Sequence, residues 1–235
     1  MIRLVVAPDQ QDADRIHLSE AQAHYLGRVM RQEPGDVVEV LLDGQARHAV
    51  LEDSTTLRLE APVPMAPPPA VAVSLVQALL KGDQMAGLLQ RATEAGVNEV
   101  QPVVSARSIA RTVSAARLQR WRAVAAEATE QSGRGRVPRI AEPVSWVRWR
   151  PDAPTIALVP SEDPLPRVWA QMGRPERVHL VVGPEGGLAP REIGRCDAAA
   201  GLGPRVLRAE HAGAFAIFWL LASIWQEDAA GAKSC

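Results

Sequence analysis

The sequence predicts an α/β protein in which a β-rich module precedes a parallel sheet. Short strand-like segments, separated by turn residues, fill the first 62 residues. After a proline-rich stretch at residues 61–69, apolar strand segments alternate with helix segments, which is the pattern of a parallel sheet covered by helices. With 235 residues the chain has room for both modules, and we place them at residues 1–66 and 70–230.

In the first module, apolar residues indicate four strands and one helical region. Pro34-Gly35 and Asp43-Gly44 mark turns between the strands. A helix and loop are expected over residues 17–31. The strands are expected over residues 2–6, 36–42, 46–51 and 57–60.

In the second module, strands and helices alternate. Asp83 can cap a helix that Gly96 ends, and its Met85, Leu88 and Leu89 fall on one face. The strands are expected over residues 71–80, 97–104, 155–159 and 178–182. The helices are expected over residues 83–96, 114–132, 190–200 and 210–226.

The most informative stretch joins an apolar strand to a helix through a glycine-rich turn. It reads Gly-Pro-Glu-Gly-Gly at residues 183–187, after Leu180 to Val182 and before Pro190. The glycines allow a tight turn and close approach of a ligand. The stretch has neither the Lys-Ser/Thr of a P-loop nor the spacing of a dinucleotide fold. A plain strand-to-helix turn is the alternative interpretation.

A second stretch, residues 201–212, repeats the order of turn, short apolar strand and helix. The helix that follows, residues 210–226, is apolar almost all round, which is typical of a helix buried in a core or an interface. Arg205, Arg208 and Glu210 lie at the junction. Charged side chains in so apolar a setting are usually paired or functional.

The two stretches together resemble the paired cofactor loops of SPOUT methyltransferases. Three more narrow the resemblance to the family that methylates N3 of a uridine in 16S ribosomal RNA, the RsmE family. They are residues 23–31, 80–97 and 127–134, and Glu-Gln-Ser-Gly-Arg at 130–134 is the most specific. One difference is His211, because the family usually has threonine at that position.

The resemblance implies a fold and a cofactor. The fold is a SPOUT-type parallel sheet with a C-terminal trefoil knot, preceded by a small PUA-like β-barrel. The cofactor is S-adenosyl-L-methionine, with its adenine and ribose held by backbone groups of the two turns. The residues expected to bind it are Val182, Gly183, Pro184, Glu185, Gly186, Gly187, Leu202, Val206, Leu207, Arg208, His211 and Ala212.

Methylation of uridine N3 requires removal of the proton that N3 carries at neutral pH. The expected catalytic residues are Arg134, Arg208 and Glu210. The arginines can stabilise negative charge on the base, and Glu210 or His211 could take the proton. The alternatives are structural: a salt bridge of Glu210 to Arg205 or Arg208, a core or capping role for His211, and helix capping by Arg134.

The charge distribution favours an RNA partner. Residues 101–150 carry 10 arginines against 3 glutamates, a net charge of +7, whereas the whole chain carries −1. A basic block of this kind is the footprint of a phosphate-backbone partner, although a solvated helix face is the alternative. The residues expected to contact RNA are His24, Arg28, Arg31, Lys81, Arg107, Arg111 and Arg136.

The expected partners are 16S rRNA, within an assembled small ribosomal subunit rather than free, and a second copy of the chain. A homodimer is expected because the helix over 210–226 is too apolar to face water. SPOUT enzymes build their site across such a dimer, which would place Arg134 of one chain near the cofactor of the other. Tyr25, Trp146 and Trp149 could stack a flipped base, or could simply pack.

Several classes of protein are excluded by the sequence. No apolar run approaches the roughly 20 residues of a membrane span, and the amino terminus does not have the pattern of a signal peptide. Cys196 and Cys235 have no metal-ligand spacing. We therefore expect a cytoplasmic protein with no membrane or metal partner. Another SPOUT activity (2′-O-ribose or tRNA methylation) and a non-catalytic RNA-binding protein remain as alternatives, although Arg208 and Glu210 favour catalysis.

Overall fold

The computed structural model describes residues 1–160 and 163–231. The chain divides into two compact units. The first contains Met1–Pro67 together with Ala126–Val137, and the second contains the rest of the chain. Within the described residues, no helix has the length and apolarity that a membrane crossing needs.

The first unit is built on a six-stranded sheet in the order β1-β4-β5-β6-β3-β2. β1 runs parallel to β4, and the other neighbouring strands are antiparallel. Its buried side chains, among them Ile16, Leu26, Val38 and Leu57, form a core of their own. The strands are β1 (Arg3–Val5), β2 (Gln11–Asp12), β3 (Arg15–His17), β4 (Val37–Leu42), β5 (Gln45–Leu51) and β6 (Thr56–Val63).

The helical region of the first unit is shorter than expected. Helix α1 (Glu20–His24) is capped by the Ser19 hydroxyl, which accepts a hydrogen bond from the Gln22 amide, and one π-helical turn over Tyr25–Val29 follows. His17 belongs instead to β3, where it pairs with Thr56 of β6. The expected proline-rich linker is also shorter, because residues 61–63 complete β6.

The second unit confirms the predicted parallel sheet. Its seven strands are all parallel, in the order β10-β8-β7-β12-β11-β13, with β9 beside β8. The strands are β7 (Ala72–Ala78), β8 (Glu99–Val104), β9 (Arg139–Ile140), β10 (Val144–Ser145), β11 (Thr155–Leu158), β12 (Arg177–Val182) and β13 (Ala198–Ala200).

Helices cover this sheet and contribute buried side chains to its core. Met85, Leu88 and Leu89 of α2 are fully buried, as the spacing of apolar residues predicted. The last helix packs closely on β7, because a Cβ at Gly213 would lie 2.8 Å from Leu75. The helices are α2 (Gln84–Glu94), α3 (Ala115–Ser132), α4 (Leu165–Gln171), α5 (Pro190–Ile193) and α6 (Ala209–Gly231).

Two predicted elements are wrong. Residues 190–200 form only the short helix α5, followed by strand β13, because Asp197 ties the chain to Thr155 of β11 and alanine pairing in the sheet overrides helix propensity. The strand expected between residue 201 and the last helix is absent, since residues 202–208 pair with no strand. Strands β2, β3, β9 and β10 and helix α4 were not expected from the sequence.

Candidate functional site

Both glycine-rich stretches leave the same edge of the parallel sheet. β12 ends at Val182 and β13 at Ala200, and both residues pair with Leu158 of β11, which lies between them. Neighbouring strands are about 4.8 Å apart, so the two stretches begin about 10 Å apart. This is the carboxyl edge of the strands, where open α/β sheets bind their ligands.

The first stretch is a tight turn whose shape depends on Gly183. A Cβ at Gly183 would lie 2.6 Å from the Gly187 carbonyl carbon and from the Leu188 nitrogen, so no other residue fits. The Gly187 amide donates to the Pro184 carbonyl over 2.8 Å, and Gly187 has a φ of +71°. Gly186 is different, because a Cβ there would meet only Arg107, at 3.6 Å. The chain itself therefore does not require a glycine at 186.

Three side chains hold this turn in place. Arg107 Nη1 donates to the Gly186 carbonyl over 2.8 Å, and the Lys81 amide donates to Glu185 Oε1 over 3.0 Å. Glu192 is buried, and its two oxygens accept the amides of Ala106 and Ala189 over 2.8 Å each. Arg107 and Lys81 were expected to contact RNA, and Glu192 was not among the residues expected to have a role. The sequence alone does not distinguish the residues that make these anchoring contacts from residues that are simply exposed.

The second stretch has an unpaired backbone. Within the described part of the chain, no backbone group from residue 202 to residue 207 makes a hydrogen bond. Gly203 has a φ of +102° with open space at its Cβ position, and Val206 is 89% exposed. Free amide and carbonyl groups beside apolar side chains are what recognition of a purine ring and its edge requires. The stretch therefore has the kind of backbone groups that the expected cofactor-binding role requires.

Three ionisable side chains meet where the second stretch enters α6. Glu210 Oε1 lies 3.6 Å from Arg208 Nη1 and 3.4 Å from His211 Nε2. The Glu210 side chain is only 15% exposed, whereas that of Arg208 is 81% exposed. From the other side, Arg91 donates to the Glu210 backbone carbonyl over 3.0 Å. The predicted salt bridge of Glu210 with Arg208 is thus present, and Arg205 forms no ion pair within the described residues.

Arg134 and Arg136 belong to the first unit. Gly133 ends α3 with a φ of +69°, and the Arg134 amide closes the helix by donating to the Thr129 carbonyl over 3.2 Å. The Arg134 backbone therefore caps the helix, and burial lowers the pKa of its guanidinium. Arg136 Nη2 lies 3.2 Å from Asp43 Oδ1. Glu130, in the same segment, accepts the Val5 amide over 2.8 Å.

The remaining predicted RNA contacts are exposed. His24 and Arg28 line an open groove of the first unit together with Ser54 and Thr55, and Arg31 follows with a φ of +56°. Arg111, in the second unit, donates to the backbone carbonyls of the loop after β8.

The tryptophans proposed as base platforms are packing residues. Trp146 and Trp149 are 5% and 7% exposed, and their ring centroids lie 5.2 Å apart. Among residues 1–160 and 163–231, no group of three or more His, Cys, Asp or Glu side chains is arranged to hold a metal ion.

Comparison with known proteins places the chain in a family. Residues 67–221 match the model of an RNA methyltransferase domain, and residues 18–61 match an RNA methyltransferase PUA domain. The chain is 34% identical to ribosomal RNA small subunit methyltransferase E of Mycobacterium tuberculosis, over 91% of this chain and 89% of that protein. The enzyme of the same name from Synechocystis is 33% identical, over 88% and 73%. The chain belongs to the ribosomal RNA small subunit methyltransferase E family.

Solved structures agree with this assignment. A ribosomal RNA small subunit methyltransferase E from Neisseria gonorrhoeae, bound to S-adenosyl methionine, superposes with a TM-score of 0.82 at 25% identity, covering 95% of this chain and 98% of that one. A methyltransferase from Legionella pneumophila with bound cofactor SAM gives 0.82 at 26% identity, covering 94% and 97%. The predictions of an rRNA methyltransferase, of an S-adenosylmethionine cofactor and of a PUA domain before an α/β domain are confirmed.

Proposed function

We propose that the protein methylates N3 of a specific uridine in the 16S rRNA of the small ribosomal subunit. The observation that carries the proposal is the pairing of the two stretches at one sheet edge, in a chain of this family. The first stretch is a glycine turn held by Arg107, and the second offers unpaired backbone groups. N3 specificity rests on the resemblance of residues 130–134 and on the names of the relatives.

The cofactor supplies an electrophilic methyl group on a sulfonium, and the protein has to align it with the base. The backbone of residues 202–207 would hold the adenine, and Gly186 would let the turn approach the ribose. Gly183 also sets the shape of the turn, because a Cβ there would lie 2.6 Å from backbone atoms of Gly187 and Leu188. The residues proposed to bind the cofactor are the twelve expected from the sequence, with Arg107 as a positioning residue for the turn.

Glu210 is the proposed proton acceptor for uridine N3. Its carboxylate is partly buried and lies within 3.6 Å of Arg208, which holds it in position and can share the negative charge that develops on the base. His211, at 3.4 Å, is the alternative acceptor. Arg134 is proposed to complete the site, as a second positive charge facing the base carbonyls.

The finer fold features are also proposals. A trefoil knot is supported by the chain course, because Gly201 pairs with the segment at Pro164 before α6 returns to pack on α2 and β12. We propose closure of the first sheet into a PUA-like barrel, and functional modules at residues 1–66 and 70–230. We also propose a cytoplasmic location, since the substrate is ribosomal.

A homodimer is proposed from the surface of α6. Phe215, Phe218 and Trp225 of this helix are 51%, 64% and 71% exposed in the single chain. Their spacing of three and seven residues places them along one side of the helix. An apolar stripe of this size on a monomer marks an interface, and a second copy with the same stripe can cover it.

The test is transfer of tritium from labelled S-adenosylmethionine to small subunits from cells that lack the gene, followed by nucleoside analysis. We expect label in N3-methyluridine from subunits and little from free 16S rRNA or tRNA. Label in 2′-O-methylribose, or in tRNA alone, would refute the assignment in favour of another SPOUT activity. Binding to subunits without any transfer would identify a non-catalytic RNA-binding protein. Equal label in free rRNA would remove only the preference for assembled subunits.

A further inference from the structure

A cavity opens at the carboxyl edge of the parallel sheet, the edge that also carries the two glycine-rich stretches, on the side of β8 and β10. It has a volume of about 440 Å³, in the range of small-ligand pockets. Its walls come from the loop after β8, from the segment after β10 and from α5 with the residues behind it. None of the cofactor residues expected from the sequence lines it.

The cavity is strongly positive. Arg111, Arg191 and Arg195 line it, and none of the three forms an ion pair within the described residues. The one acidic wall residue, Glu192, already accepts two backbone amides. Three guanidinium groups therefore face one carboxylate, and the excess of positive charge has no partner in this part of the chain.

Two of these guanidinium groups are fixed in position by backbone carbonyls. Arg195 donates to the Trp146 carbonyl over 2.9 Å and to the Trp149 carbonyl over 3.2 Å, and it stacks on the Trp146 ring. Arg111 donates to the Ser105 and Ala106 carbonyls over 3.3 Å each. A guanidinium has five N–H donors, so each keeps donors for a ligand. Carbonyls orient these charges but do not neutralise them.

A third cation comes from Arg191. This side chain lines the cavity and makes no hydrogen bond or ion pair within the described residues. With the two fixed guanidinium groups it forms a site for the oxygens of a phosphate group, which arginine can bind in a bidentate manner.

The cavity is coupled to the first glycine turn through one loop. Residues 105–111 carry Arg107, which holds the Gly186 carbonyl, and Arg111, which lines the cavity. Glu192 joins the Ala106 amide of this loop to the Ala189 amide that follows the turn. A ligand in the cavity would therefore lie against the elements that shape the cofactor turn.

We propose that this cavity binds a backbone phosphate of the RNA substrate and so sets the register of the RNA against the cofactor turn. The proposal rests on the proposed function, because it takes RNA as the substrate. It assigns to Arg191 and Arg195 a role that the resemblance does not give them. Phosphate contacts fix register and orientation without reading sequence, which suits a position beside the reacting base.

The test compares Arg191→Ala and Arg191→Lys with the wild type in filter binding to small subunits at several salt concentrations. We expect Arg191→Ala to weaken binding several-fold. The negative slope of log affinity against log salt should become less steep by roughly 0.7–0.9, the value for one lost phosphate contact. Arg191→Lys should keep the slope, since it keeps the charge.

Arg177→Ala is the matched control, because Arg177 begins β12 at the opposite edge of the same sheet and is similarly exposed. It should leave the slope unchanged. S-adenosylmethionine affinity, measured by calorimetry, should be unchanged in all three variants. An unchanged slope in Arg191→Ala, with tritium transfer intact in the wild type, would overturn the cavity proposal alone. Absence of any subunit binding or transfer by the wild type would overturn it together with the proposed function.

Discussion

Gly183 and Gly186 are glycines for different physical reasons. At Gly183 the chain packs against its own turn, and an added Cβ would lie 2.6 Å from backbone atoms that cannot move aside. At Gly186 the nearest atom to an added Cβ is 3.6 Å away, an ordinary contact distance. A side chain at position 186 would therefore leave the turn itself undisturbed and would obstruct only a ligand that binds against the turn from outside.

This difference predicts separable effects. Gly186→Val should abolish S-adenosylmethionine binding while the thermal midpoint moves little, since only space for the ligand is lost. Gly183→Ala should lower both, with a loss of stability of about 1–3 kcal/mol from the forced backbone shift. Calorimetry with the cofactor and thermal unfolding of both variants provide the measurements. Full cofactor affinity in Gly186→Val would remove this turn from the site.

The proton acceptor can be tested at Glu210 and His211. Glu210→Gln keeps the shape of the side chain and removes its charge, so kcat should fall about 10²- to 10⁴-fold while cofactor affinity changes little. His211→Thr introduces the residue usual in the family and should retain activity. The rates are measured by tritium transfer to subunits across pH 5–9. An active Glu210→Gln together with an inactive His211→Thr would assign the proton to the histidine.

At the scale of elements, β13 shows what a local contact can decide. Asp197 Oδ2 accepts the Thr155 amide and hydroxyl over 2.8 Å each, and the Asp197 amide donates back to Thr155 Oγ1 over 2.9 Å. These bonds fix β13 as the outermost strand of the sheet, beside β11. They also lower the pKa of Asp197, because the Thr155 donors favour its charged form.

The stability contributed by this contact should depend on pH in a defined direction. Because the folded pKa of Asp197 is depressed, the contribution is present above the unfolded value of about 3.9 and is lost as pH falls through the folded value. Asp197→Asn should therefore cost about 1 kcal/mol at pH 7, a modest figure because the carboxylate is exposed, and progressively less as the pH falls below about 3.9.

Urea unfolding of the two proteins at pH 7 and pH 3 measures this difference. Asp9→Asn, an exposed aspartate of the first unit, provides the control for a general charge effect. A difference that persists at low pH would mean that the carboxylate charge does not matter.

The elements that the sequence predicted well are those with a strong periodic signal. The buried face of α2 and the apolar strands β7 and β12 follow from spacing and composition alone. Residues 198–200 are three alanines, which favour a helix on their own, and the contact with the distant Thr155 makes them a strand instead. No local pattern encodes such a long-range contact.

The candidate site shows the same limit. The two stretches could be located because glycines and turn residues are visible in a sequence. The anchoring contacts of Arg107 and Glu192 could not, since each joins segments about 80 residues apart. The arginine cavity draws on three separate segments and has no sequence signature of its own.

At the scale of the whole molecule, the exposed stripe on α6 is the basis of the proposed homodimer. We expect light scattering at micromolar concentration to report about twice the chain mass of 25.3 kDa. Phe218→Glu places a charge in the stripe and should yield a monomer, whereas Val29→Glu, at a residue of the first unit with similar exposure, should remain dimeric. A wild-type monomer with full activity would rule out a functional dimer.

For the proposed dimer, an experiment can decide which chain supplies Arg134 to a given site. If Arg134 acts on the cofactor site of the partner, Arg134→Ala and Glu210→Gln inactivate different halves of a shared site. A mixture of the two inactive proteins, unfolded and refolded together, then contains heterodimers with one intact site each. Random pairing makes half the dimers mixed, so the mixture should recover about a quarter of wild-type activity in the tritium assay.

If Arg134 acts within its own chain, no pairing restores a site and the mixture stays inactive. Refolding each variant alone provides the baseline, and refolding the wild type sets the attainable maximum. Recovery therefore requires both that a dimer forms and that the two residues meet across it.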